Sequence, residues 1–256
     1  METAILAFAN QKGGVGKTTS TVNIAACLSH LGHKTLLVDS DPQGNASTGV
    51  GISKKNLRRS LYDVLTGGCS AAEAVVETEF PHLSVLPATM DLAGAEFDLM
   101  EREVHHSALK EALEPLRGQY EFILIDCPPS LGLLTINALS AAEGVVIPMQ
   151  CEYFALEGLT QLMMTVRRVK QKYNPGIVIG GILVTMYDGR LNLTAQVLAE
   201  LKKYYADKLF SAVIPRNVKL SEAPSFGKPI FYHDKYSKGS LAYLDVAKEL
   251  AQRCGM

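Results

Sequence analysis

Short apolar runs alternate along the chain with longer segments in which apolar residues recur every three to four positions. The runs are unbroken by polar residues, which is typical of strands covered on both faces of a sheet. They predict strands at 4–9, 35–39, 83–87, 122–126, 144–148, 177–184 and 210–215. The periodic segments predict helices at 18–31, 98–117, 133–142, 157–173, 192–206 and 239–253.

This alternation favours a mostly parallel sheet between two layers of helices. The 256 residues contain no linker, repeat or low-complexity tract, so we expect a single doubly wound α/β domain over residues 1–256. Ligands of such sheets bind at the carboxyl ends of the strands. The unusual residues of this chain follow those ends.

Composition narrows the class of protein. With 47% apolar residues the chain is not intrinsically disordered. Its five cysteines form an odd set without a CxxC pair, which argues against a disulfide framework, a compact zinc site or an iron–sulfur site. No apolar run reaches the length of a membrane-spanning helix, and the N-terminus lacks the basic region of a signal peptide. We expect a cytoplasmic protein.

The net charge of −1 conceals two halves of opposite sign. Residues 1–150 hold 10 basic and 17 acidic side chains, whereas residues 151–256 hold 15 basic and 9 acidic ones. A basic half can bind a polyanion, and it can equally be an uneven scatter of solvated charges.

A glycine-rich segment follows the first predicted strand and leads into the first helix. It reads Gln11-Lys12-Gly13-Gly14-Val15-Gly16-Lys17-Thr18-Thr19. Its end meets the second half of the phosphate-loop pattern Gly-x-x-x-x-Gly-Lys-Ser/Thr, but Gln11 stands where that pattern begins with glycine. We expect backbone N–H groups and the helix N-terminus to bind phosphate, with Lys17 between the β- and γ-phosphates and the Thr18 hydroxyl on Mg²⁺. The second lysine, Lys12, would repel Lys17 unless it points elsewhere or binds other phosphate oxygens.

The segment 12–19 resembles the deviant Walker A motif of the ParA/MinD family of P-loop ATPases, which are of the SIMIBI type. Residues 36–45 resemble the second acidic motif of that family, and residues 123–130 resemble its Walker B strand. The likeness extends over almost the whole chain and points in particular to the short chromosomal, Soj-type ParA partition ATPases.

The resemblance implies a role for individual residues around ATP and Mg²⁺. Lys12 would reach the nucleotide of the partner subunit in an ATP-sandwich homodimer, and Thr19 would hydrogen-bond the α-phosphate. Asp41 would orient the attacking water, while Asp39 and Asp126 would support Mg²⁺ through its water shell. Pro215 and Asn217 match the segment around the adenine. Met186 and Tyr187 either line the same pocket or belong to the core.

Soj-type relatives bind double-stranded DNA without sequence preference, and the resemblance implies Arg190, Arg216 and Lys219 as contacts. Lys202 and Lys203 are possible neighbours. The implied function is chromosome or plasmid partition in the cytoplasm at the nucleoid, by a slow ATPase that a ParB-type partner stimulates.

Two alternatives from other functional classes share most of these motifs. One is a ParA-like positioning ATPase for a protein cargo, such as a chemotaxis cluster or a microcompartment. The other is a MinD-like regulator that cycles on the membrane. Residues 244–256 are rich in alanine and carry little basic charge, unlike an interfacial helix, so no membrane partner is expected.

Overall fold

A computed structural model describes residues 2–101 and 105–256 of the chain. The strands are β1 (Ala4–Phe8), β2 (Thr35–Asp39), β3 (Val76–Glu77), β4 (Leu83–Leu86), β5 (Phe122–Asp126), β6 (Gly144–Gln150) and β7 (Val178–Thr185). The helices are α1 (Lys17–His30), α2 (Asn45–Gly49), α3 (Leu61–Thr66), α4 (Ala71–Ala74), α5 (Ala95–Met100), α6 (Ala108–Leu113), α7 (Leu133–Ala141), α8 (Ala155–Lys172), α9 (Asn192–Tyr205), α10 (Val218–Glu222), α11 (Ile230–His233) and α12 (Lys238–Arg253). Short 3₁₀ turns lie at Lys54–Asn56, Met90–Ala93, Glu114–Leu116 and Ala223–Phe226.

The strands form one sheet in the order β3-β4-β2-β5-β1-β6-β7. Every pairing is parallel except that of β3 with β4. Alternate residues of β1 enter two separate hydrophobic clusters, with Ile5 and Ala7 in one and Leu6 and Phe8 in the other. Because strand side chains alternate between faces, the two clusters cover the two faces of the sheet. The predicted doubly wound α/β class is confirmed.

The predicted strand at 210–215 is wrong. Phe210 N–H donates to Ile182 O at 3.0 Å and Ile214 N–H donates to Val184 O at 2.8 Å, so the segment runs along β7. Between these two bonds Ser211 N–H turns to Glu249 Oε2 at 3.0 Å, and Pro215 has no N–H to continue a ladder. Only isolated bridges result.

The single predicted helix over 98–117 is also wrong. The described part of this range holds the end of α5, the whole of α6 and a 3₁₀ turn, while residues 102–104 lie outside the described residues. Pro115 lies in that turn and prevents α6 from continuing, because proline has no N–H for a helical bond. The helices α2, α3, α4, α10 and α11 and the strand β3 were not predicted, since each is too short to show a hydrophobic period. The remaining predicted elements match within a few residues.

Among the described helices, none is both long enough and apolar enough to cross a lipid bilayer.

Candidate active site

The glycine-rich loop joins β1 to α1 at the carboxyl edge of the sheet. Gly14 and Gly16 adopt left-handed backbone conformations, with φ of 74° and 84°, which side chains disfavour. Gly16 is the N-cap of α1, and no side chain in the described residues caps this helix end. The N–H groups of the first turn therefore point outward without intrahelical partners, which suits an anion.

A cavity of about 290 Å³ opens over this helix end. It is lined by Gly13, Gly14, Gly16, Lys17, Thr18, Thr19, Asp41, Asn45, Pro129 and Met186. The structure thus brings together most of the predicted phosphate contacts. Val15, which belongs to the loop, is buried, and neither Val15 nor Lys12 is part of the lining.

Lys17 is a buried cation beside this cavity. Its Nζ donates to Lys12 O at 3.1 Å. Burial lowers the pKa of Lys17, and the nearby carboxylate of Asp126 partly opposes that shift. A bound phosphate would stabilise the charged ammonium, because buried charges need a partner.

Asp39 and Asp126 end two neighbouring parallel strands and are register partners in β2 and β5. Both side chains are fully buried. Burial, with the charge of Asp39 as a smaller cause, raises the pKa of Asp126 to about 8, while the hydroxyls of Thr18 and Thr21 lower it by less. Burial also raises the pKa of Asp39 to about 6, against hydrogen bonds from Ser47. A cation bound at this pair would therefore stabilise the ionised form of both carboxyl groups.

This carboxylate pair fits Mg²⁺. Thr21 Oγ1 donates to Asp126 Oδ1 at 3.1 Å, whereas the buried Oδ2 has no hydrogen-bond partner in the described residues. An ion or its bound water would satisfy that oxygen, and Mg²⁺ prefers oxygen donors. Within the described chain no group of three or more His, Cys, Asp or Glu side chains is arranged to hold an ion. Thr18 and Asp126 would therefore share the ion with phosphate and water.

Asp39 and Asp41 differ in their hydrogen bonds. Asp39 Oδ2 accepts bonds of 2.7 Å from both the backbone N–H and the hydroxyl of Ser47, and Oδ1 accepts one of 3.3 Å from Asp41 N–H. Asp41 lines the cavity, and its side chain accepts, among the described residues, only from the backbone N–H of Gln43, at 2.9 Å. Asp39 therefore holds α2 in place, while Asp41 borders the space where phosphate would lie.

A second cavity of about 250 Å³ adjoins the first and shares Gly16, Thr19 and Met186 with it. Its lining includes the two residues predicted around the adenine, Pro215 and Asn217. Asn217 Oδ1 caps α10 by accepting from Lys219 N–H at 2.9 Å, which leaves its amide N–H₂ as the donor for a ligand.

Met186 lines both cavities, whereas Tyr187 is in the lining of neither. Tyr187 packs against the core instead, and its N–H donates to Ile214 O at 2.9 Å. Of the two alternatives for this pair, Met186 belongs to the pocket and Tyr187 to the core.

Lys12 turns away from the phosphate cavity. Its side chain is about half exposed and forms an ion pair with Glu152, just after β6. Its backbone N–H donates to Asn10 Oδ1 at 3.0 Å. The side chain of Lys12 thus points away from Lys17, which is one of the two arrangements expected to relieve the repulsion between the two lysines.

The three predicted DNA contacts are exposed, and Arg216 lines the second cavity. Arg190 is 88% exposed in its side chain and forms a forked ion pair with Asp188, with N···O distances of 2.8 and 2.6 Å. Those hydrogen bonds lower the pKa of Asp188 to about 2, and the charge of Arg216 contributes a smaller lowering. Lys219 pairs with Glu222 at 2.9 Å. The structure therefore places Arg190 and Arg216 near the same carboxylate, and Arg190 and Lys219 already have acidic partners.

Three polar residues that sequence reasoning missed join the loop and its start to the neighbouring strands β6 and β7. Gln150 Nε2 donates to Gly14 O at 2.8 Å, and Thr185 Oγ1 donates to Val15 O at 2.7 Å. Asn10 Nδ2 donates to Pro148 O at 2.7 Å. Their common signal is a polar side chain at or just beyond the carboxyl end of a strand, which apolar runs alone do not single out.

Comparison with protein families identifies a match to a family described as an AAA domain over residues 3–179. The sporulation initiation inhibitor protein Soj of Bacillus subtilis (strain 168) is 54% identical over 247 residues, which are 96% of this chain and 98% of that protein. The chromosome partitioning protein ParA of Caulobacter vibrioides (strain NA1000 / CB15N) is 51% identical over 251 residues, which are 97% of this chain and 94% of that protein.

Among solved structures, the chain is similar to a cobyrinic acid a,c-diamide synthase from Mycobacterium smegmatis with bound ADP and magnesium. The TM-score is 0.86 at 39% sequence identity, and the match covers 99% of this chain and 97% of the other. This chain, with its loop, carboxylate pair and two cavities, is therefore similar over almost its whole length to a protein whose structure contains ADP and magnesium.

Proposed function

Because the chain belongs to the Soj/ParA family of chromosome-partitioning P-loop ATPases, we propose that it is an ATP-driven switch for DNA partition. ATP closes a homodimer, the dimer binds double-stranded DNA without sequence preference, and hydrolysis stimulated by a ParB-type partner releases it. The observation that carries this proposal is the orientation of the two lysines. Lys17 is buried beside the phosphate cavity, whereas Lys12 points out of it.

In the proposed site, phosphates bind the N–H groups of Gly13, Gly14, Val15 and Gly16 together with Lys17 and Thr19. Thr18 holds Mg²⁺, with Asp126 and Asp39 behind its water shell. The ion supplies positive charge that offsets negative charge on the phosphates. Asp41 accepts a hydrogen bond from the attacking water. Pro215 and Asn217 contact the base in the adjoining cavity.

Lys12 has a different task in the dimer. An outward lysine that is about half exposed can leave Glu152 and reach phosphates held by a second subunit. There it would stabilise charge that develops during hydrolysis, as cationic groups do in other phosphoryl-transfer sites. The single chain then lacks a group that completes its own site, so we expect slow hydrolysis until dimer and partner assemble.

Arg216 is the proposed anchor of the DNA-binding surface. It is exposed, and no ion pair with another described residue engages it. Arg190 and Lys219 would exchange their present carboxylate partners for DNA phosphates, and dimerisation would double the surface. Binding through phosphates weakens steeply as salt rises. This surface supports association with the nucleoid.

The experiment is DNA binding by purified protein with ATP, ADP or no nucleotide over a salt series. We expect binding only with ATP, no dependence on DNA sequence, and a linear fall of the logarithm of affinity with the logarithm of salt concentration. Arg216→Glu should abolish binding, while Lys110→Glu, an equal charge change on α6, should not. If confirmed ATP dimers bind no DNA in any state, the proposed function is wrong.

A further inference from the structure

The chain makes a tight turn directly after β2, and this turn carries Asp41. Gly44 N–H donates to Asp41 O at 2.8 Å, and Gly44 has a left-handed φ of 62°. Among the described residues the Asp41 side chain accepts one hydrogen bond, from Gln43 N–H at 2.9 Å. The direction of the Asp41 carboxylate therefore depends on where the backbone of Gln43 is held.

A lysine from the following segment contacts this turn. Lys54 Nζ donates to Gln43 O at 2.6 Å. A Cβ added at Gly44 would lie 2.8 Å from Lys54 Cδ and 2.8 Å from Ala88 O. Glycine at this position thus leaves room for both the lysine stem and the Ala88 carbonyl. The backbone of the turn is held by the lysine through one hydrogen bond and by close packing of its stem.

The segment that carries Lys54 is itself anchored at both ends. Ile52 N–H donates to Ser47 O, in α2, at 3.0 Å. Leu61 N–H, at the start of α3, donates to Pro87 O at 2.8 Å. Lys54 lies in the 3₁₀ turn between these two contacts. The lysine therefore extends from a fixed base, and its ammonium can hold the Asp41 turn in place.

The ammonium of Lys54 is used on a backbone carbonyl and not on a carboxylate. Residues 54–59 contain four cations, which are Lys54, Lys55, Arg58 and Arg59. In the described part of the chain only Arg59 of these four forms an ion pair, with Asp63 at 3.7 Å. Hydrogen bonds from a charged donor are stronger than those from a neutral one. Lys54 is thus a strong donor to Gln43 O.

We propose that Lys54 is a positioning residue for ATP hydrolysis, which holds the Asp41 carboxylate in its direction through Gln43. The inference rests on the proposed function, because it takes from there the task of Asp41 on the attacking water. Lys54 does not line the phosphate cavity, so it acts through Asp41 and not on the nucleotide. Small misplacements of a group that orients a reactant cost rate. Release of the turn should therefore slow hydrolysis and leave ATP binding unchanged.

The first test compares three variants of the full chain. Lys54→Met keeps an apolar stem against Gly44 and removes the ammonium, so kcat for ATP should fall about tenfold. KM and the affinity for a fluorescent ATP analogue should not change. Lys54→Arg can still donate to the carbonyl and should recover most of kcat. Lys55→Met makes the same change at the next residue, which is exposed, and should hydrolyse ATP as the parent does. Release of radiolabelled phosphate measures these slow rates.

A double variant tests whether Lys54 acts through Asp41. Asp41→Asn/Lys54→Met should hydrolyse ATP no more slowly than Asp41→Asn, because the group that Lys54 positions is already absent. A further loss in the double variant would show that Lys54 acts independently, and it would overturn the proposal.

Hydrogen exchange checks the contact without reference to activity. Amides of residues 42–46 should exchange faster in Lys54→Met than in the parent, because a less firmly held turn opens more often. Lys55→Met should exchange as the parent does. Unchanged exchange in Lys54→Met would contradict the hold on the turn.

ATP-dependent DNA binding is measured on the same samples. If the parent forms ATP dimers that bind no DNA, the proposed function is wrong, and the kinetic comparison still decides on Lys54. If Asp41→Asn hydrolyses ATP as the parent does, the task of Asp41 is wrong and the inference about Lys54 falls with it. If Asp41→Asn loses hydrolysis while Lys54→Met keeps the kcat of the parent, only the inference about Lys54 is wrong.

Discussion

At the scale of single residues, side chains of the same type that lie close together in the sequence differ in whether they line the phosphate cavity. Lys12 and Lys17 stand five positions apart in one glycine-rich loop, yet only Lys17 lines the phosphate cavity. Asp39 and Asp41 stand two positions apart, yet Asp39 is bonded to Ser47 and only Asp41 faces the cavity. Residue type gives the chemistry available, and these contacts give each group its separate task.

The two lysines should fail in different ways when each is changed to alanine. Lys17→Ala should lose most nucleotide binding, and its hydrolysis should fall by about 10²-fold or more, because the buried cation beside the phosphates is gone. Lys12→Ala should bind ATP as the parent does but remain a monomer. Titration with a fluorescent ATP analogue and light scattering after size exclusion measure the two properties. A Lys12→Ala protein that forms ATP dimers would exclude the bridging role.

Asp126 should make the nucleotide-free protein less stable as pH rises. Its pKa of about 8 in the folded chain lies above the value of about 3.9 in an unfolded chain, so the folded state holds its proton more tightly. The free energy of unfolding then falls between about pH 4 and pH 8. The part between pH 6 and pH 8 belongs mainly to Asp126, because Asp39 titrates near 6.

Asp126→Asn should remove that fall and stabilise the protein at pH 8 by on the order of a few kcal/mol. Urea denaturation in EDTA without nucleotide, at pH 6 and pH 8, measures the free energy of unfolding of the variant and the parent. Asp245→Asn, at an exposed position of α12, is the control and should behave like the parent. An equal loss of stability at both pH values would show that the pKa of Asp126 is not raised.

At the scale of elements, short helices around the site depend on hydrogen bonds from the ends of strands. The helix α2 has five residues, too few to be stable alone, and Asp39 at the end of β2 holds it through Ser47. The Ser47 hydroxyl also accepts from Ala88 N–H at 3.1 Å. One serine therefore joins α2, β2 and the segment after β4.

Ser47→Ala should lower the free energy of unfolding by about 1–3 kcal/mol, because it leaves buried groups without a partner. Ser140 is the matched control, since its buried hydroxyl on α7 has no hydrogen-bond partner in the described residues. Ser140→Ala should therefore be neutral or stabilising. Denaturant melts of the two variants and the parent measure the difference. Equal effects of both substitutions would refute the role given to Ser47.

At the scale of the whole molecule, the apolar surface of the last helix is used inside the fold. Tyr243, Val246, Ala247 and Leu250 of α12 are buried and belong to the same cluster as residues of α1. A helix that buries its apolar face against the protein cannot at the same time lay that face on a membrane. The apolar face of α12 is therefore not available to a membrane while the helix is packed in this way.

The protein should accordingly stay in the supernatant when anionic liposomes are sedimented with ATP, ADP or no nucleotide. An amphipathic peptide that is known to bind membranes serves as the positive control, because it should sediment with the same liposomes. Sedimentation that depends on ATP would contradict this prediction and favour the membrane-cycling alternative.

Much of the fold and the centre of the site could be predicted from the sequence. Long apolar segments, either periodic or unbroken, predicted the main strands and helices. The motifs predicted the family, its ATPase activity and its use of ATP and Mg²⁺, and these predictions are confirmed. The predicted strand at 210–215 failed because an apolar run does not reveal whether backbone N–H groups find a ladder. The helix over 98–117 failed because the periodicity extended across Pro115.

The sequence by itself determined the chemistry of this protein: a phosphate-binding loop, two lysines, three acidic residues at strand ends and an apolar pattern that requires a sheet covered on both faces. Motifs and hydrophobic spacing suffice to identify these features, because each of them involves residues that are close together in the chain. Only the tertiary structure decided that Asp39 and Asp126 are register partners, that Lys12 turns to Glu152, and that α5 exposes the apolar side chains of Phe97 and Met100. Those features depend on contacts between residues far apart in the chain. Packing and burial, rather than residue type, decide there where a side chain points and whether its charged form is favoured.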